Sequence, residues 1–152
     1  MKQVTAKELV KKYEMQKHEE NGMFIECNDD INEDKRHPSG FIYYYVSPGE
    51  KTEFHKIDCD EYWSYNAGST IELWVINLEG KLNIKYCGIG KNAEPTVLFK
   101  KGEIFASRLT ENASDGCFLT CITIPRFSYD GFEIIEKENI IKEYPKVKEF
   151  WD

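Results

Sequence analysis

From residue 23 to residue 133 the chain runs in short β-rich stretches, each closed by a turn signal. Candidate strands cover 23–27, 40–46, 53–57, 62–65, 70–77, 81–86, 96–99, 104–107 and 117–124. Pro48-Gly49, Ala67-Gly68, Glu79-Gly80, Lys101-Gly102 and Asp115-Gly116 separate them. Many short strands at this spacing predict a sandwich, barrel or jelly roll. The opening segment follows another period. Ala6, Leu9, Val10 and Tyr13 recur at helical spacing, with Lys7, Glu8, Lys11 and Lys12 on the opposite face. Thr5 and Glu8 complete a T-x-x-E capping box, in which each side chain satisfies a backbone N–H at the helix start. Asn21-Gly22 reads as the turn that ends this segment. The acidic stretch 28–35 reads as a mobile loop, and the tail 138–152 has weak helical character broken at Pro145. With no repeat, low-complexity tract or linker, residues 1–152 form one domain.

Composition narrows the function classes. A length of 152 residues supports a real hydrophobic core without disulfide or metal staples. A net charge of −7 argues against general affinity for nucleic acid or anionic membranes. No apolar run approaches the roughly 20 residues of a spanning helix, and the first ten residues lack the apolar block of a signal peptide. Five scattered cysteines without a C-x-x-C pair read as free thiols in a reducing cytoplasm. Aromatic residues make up 14% of the chain, a density that favours strands and an aromatic-lined interior.

The stretch from Gly49 to Gly68 concentrates the chemistry. His55, Ile57, Glu61, Trp63 and Tyr65 share parity, so two strands flanking a turn near 58–60 point all of them at one interior. An imidazole, a carboxylate, an indole and a phenol then surround one concave space, the usual form of a small-molecule site. At these residues the sequence resembles the cupin superfamily, small barrels of double-stranded β-helix (jelly-roll) topology. The first cupin motif runs G-x5-H-x-H-x3-E-x6-G. Gly49, His55, Glu61 and Gly68 fall on four of its fixed positions, and Ile57 takes the place of the second His. The chain is still more similar to the branch labelled cupin superfamily 5. The similarity rests on His18–Phe24, Ser39–Tyr44, Phe54–Gly68, Ile71-Glu72-Leu73, Gly102–Ser107, Cys121 and Gly131-Phe132-Glu133.

The resemblance implies an all-β jelly roll with an N-terminal helix and a short, partly helical tail. It implies a cavity that binds a sugar or nucleotide-like metabolite, with metal-independent epimerisation or isomerisation as the catalytic form. His55 is then the general base, its imidazole titrating near neutral pH. A Tyr supplies the acid, with Tyr43, Tyr65 and Tyr129 as candidates. The alternatives are a non-catalytic binding or sensor module and a metal-dependent isomerase or oxygenase. Metal-binding cupins take two His and a Glu from the first motif and one His from the second. Here the second motif, P-x-G-x-x-H, maps to Lys100–Phe105 without its Pro and its His. Two donors, His55 and Glu61, fall short of the usual three or four, so no cofactor is expected. Cupins of this kind commonly form dimers, often by exchanging N-terminal strands, and residues 40–46 read as an edge to be covered that way.

The other residues divide as follows. Burying Glu61 requires a partner, and His55 is the expected one. Trp63 and Tyr65 read equally as a stacking wall and as core. Glu72 shares a face with Trp74 and either reaches the pocket or pairs at an interface. Phe105 and Ser107 are expected to line the cavity, as are Tyr43 and Tyr45 by alternation. His18 and His37 read as surface or loop residues. No nucleotide-cradling glycine loop or serine nucleophile elbow is present.

Overall fold

The computed structural model describes residues 2–27 and 36–152, and every structural statement concerns those residues. The loop expected over 28–35 lies outside them. Helix α1 (Ala6–Lys12) opens the chain with the expected capping box, Thr5 Oγ1 accepting the Glu8 N–H and Glu8 accepting the Thr5 N–H. Strands follow as β1 (Gln16–Lys17), β2 (Met23–Glu26), β3 (Gly40–Val46), β4 (His55–Ile57), β5 (Asp60–Gly68), β6 (Ile71–Ile76), β7 (Leu82–Cys87), β8 (Thr96–Phe99), β9 (Ile104–Arg108), β10 (Cys117–Ile124) and β11 (Phe132–Ile134). Helix α2 (Lys137–Glu143) and a 3-10 segment (Pro145–Trp151) close it, with the proline at the junction.

The strands form two antiparallel sheets, one of order β1-β2-β3-β10-β5-β8 and one of order β11-β4-β9-β6-β7. Each sheet draws strands from both halves of the chain, which is the jelly-roll arrangement. Between the sheets lies the main core, including Tyr44, Trp63, Leu73, Phe99, Phe105 and Leu119. Both sheets are also covered outside. Helix α1 packs on the six-stranded sheet through Ala6, Tyr45 and Phe118. The C-terminal segments pack on the five-stranded sheet through Ile140, Val147 and Phe150, against Phe54, Trp74 and Ala106.

This double covering corrects the expected direction of β3. Tyr44 points into the barrel, whereas Tyr43 and Tyr45 point out, beneath α1. The strand is apolar on both faces, so alternation identifies two faces without saying which is inside. The edge expected at residues 40–46 is likewise occupied. β3 pairs with β10 on one side and with the chain's own β2 on the other, Met23 opposite Tyr45. The motif strands separate too: β4 belongs to the five-stranded sheet and β5 to the six-stranded one. The short turn between them therefore crosses the barrel. His55 and Ile57 approach the interior from one wall, and Glu61 and Trp63 from the other.

Candidate functional site

Between these walls lies a cavity of about 300 Å³. Its deep part is lined by His18, Glu20, Tyr44, His55, Glu61 and Cys121, all buried. Phe24, Ile42, Ile57 and Phe132 add apolar surface, while Phe41, Arg126, Phe127 and Tyr129 stand nearer solvent.

Local backbone chemistry aims each polar group. In β4, His55 Nδ1 faces the Glu53 carbonyl at 2.9 Å. A carbonyl only accepts, so Nδ1 carries a proton and donates. The other nitrogen, Nε2, faces Glu20 Oε2 at 2.8 Å with both side chains buried. Burial alone lowers the His55 pKa, but the Glu20 carboxylate and its hydrogen bond outweigh that and hold it above the ordinary value. Burial likewise pushes the Glu20 carboxyl up, and His55 pulls it below its ordinary value. The pair is thus imidazolium and carboxylate.

Glu20 reaches this position from the β1–β2 hairpin, which is tied to the β3–β4 connection. The Glu53 N–H donates to the Glu20 carbonyl at 2.8 Å, Asn21 Nδ2 to the Lys51 carbonyl at 3.0 Å and the Gly22 N–H to Glu50 Oε1 at 2.8 Å. Gly22 has φ +77°, and an added Cβ would sit 2.5 Å from the Tyr44 hydroxyl. Only glycine permits both that backbone and that approach. The Tyr44 hydroxyl donates to the Asn21 carbonyl at 2.6 Å, closing the hairpin onto the barrel.

Glu61 stands on the opposite wall. Its Oε1 accepts the Trp63 indole N–H, two residues along the same face of β5. Burial raises its pKa, the Glu20 carboxylate raises it further, and the Trp63 bond and His55 only partly oppose them, leaving it at about 7. Its Oε2 has no protein partner among the described residues, although no fully buried side-chain polar atom there is left unpaired. That oxygen therefore opens to the cavity. His18 completes the set. Its Nδ1 accepts the Glu20 N–H at 3.2 Å, and burial lowers its pKa, so the ring is neutral with the proton on Nε2.

The structure brings together some of the expected residues and disperses others. His55 and Glu61 line the cavity, but the partner of His55 is Glu20, and Glu61 is held by Trp63. Trp63 stands behind Glu61, packed on Tyr44, Phe99 and Phe105, and does not line the cavity. Tyr65 is half-buried, outside the lining, and donates to the Gly68 carbonyl at 2.6 Å. Glu72 lies on the outer face beside Trp74, where Arg108 Nε meets its Oε1 at 2.7 Å. Phe105 stacks on His55 with centroids 4.2 Å apart and fills core behind it. Ser107 is fully buried, its hydroxyl 3.2 Å from that of Thr52. Tyr43 packs under α1 on Tyr13 and Phe118, outside the barrel. Of the candidate tyrosine acids, Tyr129 alone reaches the cavity. His18, expected at the surface, is buried in the lining, and Glu20 was not singled out by sequence at all.

Comparison with known proteins agrees with this architecture. The profile of the family described as Cupin superfamily (DUF985) matches residues 7–135. A solved protein from Shewanella oneidensis is 27% identical, with TM-score 0.86 over 97% of this chain and 94% of that one. A hypothetical protein from Leishmania major is 24% identical, with TM-score 0.83 over 94% of each chain. Oxalate decarboxylase from Bacillus subtilis shares the fold at 14% identity and TM-score 0.60, over 87% of this chain and 35% of that one. No curated protein matches the sequence.

The cavity does not fit the metal centre found in other cupins. Ile57 and Phe105 occupy the positions of two motif histidines, and both His55 nitrogens already face Glu53 and Glu20. Among the described residues, no three His, Cys, Asp or Glu side chains are grouped to hold a metal ion. Cys121 adds little as a donor, because burial pushes its thiol pKa well up and keeps it protonated.

Proposed function

The chain belongs to the cupin superfamily family DUF985, and on that premise we propose that it binds a small molecule in the cavity around His55 and Glu61. One observation carries the reading: four buried ionisable side chains, His18, Glu20, His55 and Glu61, converge on a hollow rather than on packed core. Burying such groups costs several kcal/mol each before pairing, and apolar residues of similar size would fill the space more stably. The aromatic surfaces of Phe24, Phe127 and Phe132 suit one face of a sugar or nucleotide-like ring, and the carboxyl groups suit its hydroxyls. A thermal-shift screen against sugar phosphates, nucleotides and small acids tests this. A ligand at 100 times its Kd stabilises the fold by about 2.7 kcal/mol. One chemical class is expected to raise the melting temperature, and no shift from any compound at millimolar concentration would contradict the reading.

The engaged nitrogens of His55 favour a binding module over a hydrolase or an epimerase that uses His55 as base. Recovery of the ligand chemically intact supports binding alone; its conversion supports the isomerase form. Free cysteines support residence in a reducing compartment such as the cytoplasm. Among the described residues no helix is long and apolar enough to cross a membrane. A homodimer is also proposed, supported by edge strand β7, which exposes Ile84 and Tyr86. Gel filtration with light scattering is expected to give twice the chain mass, and a monomer at low micromolar concentration would remove the dimer.

A further inference from the structure

We propose that the cavity transfers a proton next to a carbonyl, with Glu61 as the base and the His18 Nε2–H as the group that holds the carbonyl oxygen. This rests on the binding reading and names its substrate class, a small α-hydroxycarbonyl compound. Geometry makes the assignment. A base needs an oxygen fixed in direction with a free lone pair facing the substrate. Glu61 has one oxygen anchored by the Trp63 N–H and the other opening to the cavity. His55 has no such lone pair, since both its nitrogens face acceptors. His18 presents a neutral N–H to the same space, because its Nδ1 is spent on the Glu20 amide.

The step balances without a co-reactant. The C–H bond beside the carbonyl breaks, its proton goes to Glu61 Oε2, and its electron pair forms the enolate. The oxygen of that enolate accepts the hydrogen bond from His18. Return of a proton from Glu61 to the same carbon restores the substrate, with that hydrogen exchanged for one from solvent. An uncharged imidazole is the appropriate donor, since it stabilises the enolate without surrendering its proton. The ionisable groups facing Glu61 are Glu20 from the β1–β2 hairpin, His55 from β4, Cys59 from the β4–β5 turn and Cys121 from β10. With Glu20 kept ionised by His55, the Glu61 carboxyl titrates at about 7, where a base is half available and still strong.

The test is hydrogen exchange in D2O, followed by loss of the C–H signal in proton NMR. The probes are three- to six-carbon aldoses and ketoses, free and as monophosphates, each also checked for binding by saturation transfer. The wild-type protein is expected to exchange at least one probe, with a rate that rises through pH 7. Glu61→Gln, near-isosteric and still able to accept from Trp63, is expected to lose at least about 100-fold. Glu61→Asp, which keeps the carboxyl, is expected to retain part of the rate. His18→Phe is expected to lose about 100-fold. Exchange that survives in Glu61→Gln would overturn the assignment. Binding without exchange in the wild type would also overturn it while leaving the binding reading intact. Neither binding nor exchange would overturn both the proposal and the sugar-like ligand.

Discussion

Glu61 carries two consequences that can be measured without any ligand. Burial and the Glu20 carboxylate raise its pKa from 4.5 to about 7, so the folded chain holds this proton more tightly than the unfolded chain does. Folding stability therefore falls as pH rises from 4.5 through 7, by about 3 kcal/mol in all. Glu61→Gln is expected to stabilise the protein by about that amount at pH 8 and by less than about 1 kcal/mol at pH 5, read from urea unfolding. Equal effects at the two pH values would contradict the raised pKa. His55 and Glu20 act in complementary directions. The raised His55 pKa contributes stability that is full below 6.5 and lost as pH rises through its folded value. The lowered Glu20 pKa contributes stability present above 4.5 and lost as pH falls through its folded value. Above pH 6.5 the Glu61 and His55 contributions both fall while that of Glu20 is constant, so the melting temperature is expected to decline from about pH 6.5 toward pH 8. A rise from pH 6 to pH 8 would refute the ion pair. His55→Ala is expected to cost about 3–5 kcal/mol at pH 6 by leaving the Glu20 carboxylate buried and alone. The sequence made His55 and Glu61 legible through motif spacing, but not Glu20. A carboxylate 35 residues away, in a hairpin whose first strand is only the polar pair Gln16–Lys17, carries no local sign of burial.

Among the elements, legibility followed periodicity. β3, β8 and β10 have the bounds expected from the sequence, because turn residues bracket continuous β-rich runs. β1 and β11 are not legible in the sequence, since two or three residues are too short to show alternation. The tail gave a weak helical signal because its order comes from packing. Phe150 is fully buried against Phe54, Trp74 and Trp151, while Arg108 donates to the Glu149 and Phe150 carbonyls at 3.1 and 2.8 Å. Phe150→Ala is expected to cost about 3–5 kcal/mol in chemical denaturation. A loss below 1 kcal/mol would show that the tail contributes little to the fold. The same packing explains why alternation points Tyr43 to the wrong face and leaves Glu72 open between pocket and interface. Each lies on a strand covered on both faces, so its partner is set by α1 or by the tail.

For the molecule as a whole, the jelly roll was legible because nine strand signals and their turns agree with one another. The net charge of −7 says nothing of the cavity, where the Glu20–His55 ion pair lies buried inside the barrel. What the fold adds is convergence: the N-terminal hairpin supplies His18 and Glu20, β4 supplies His55 and β5 supplies Glu61, from both sheets onto one space. The central claim is that this space is a binding site. The most direct measurement is saturation-transfer NMR with one metabolite set on the wild type and on Ile42→Trp, whose larger side chain fills the cavity. The account predicts at least one bound metabolite on the wild type and its loss in the folded Ile42→Trp variant. Equal binding by both proteins, or none by the wild type, would contradict it.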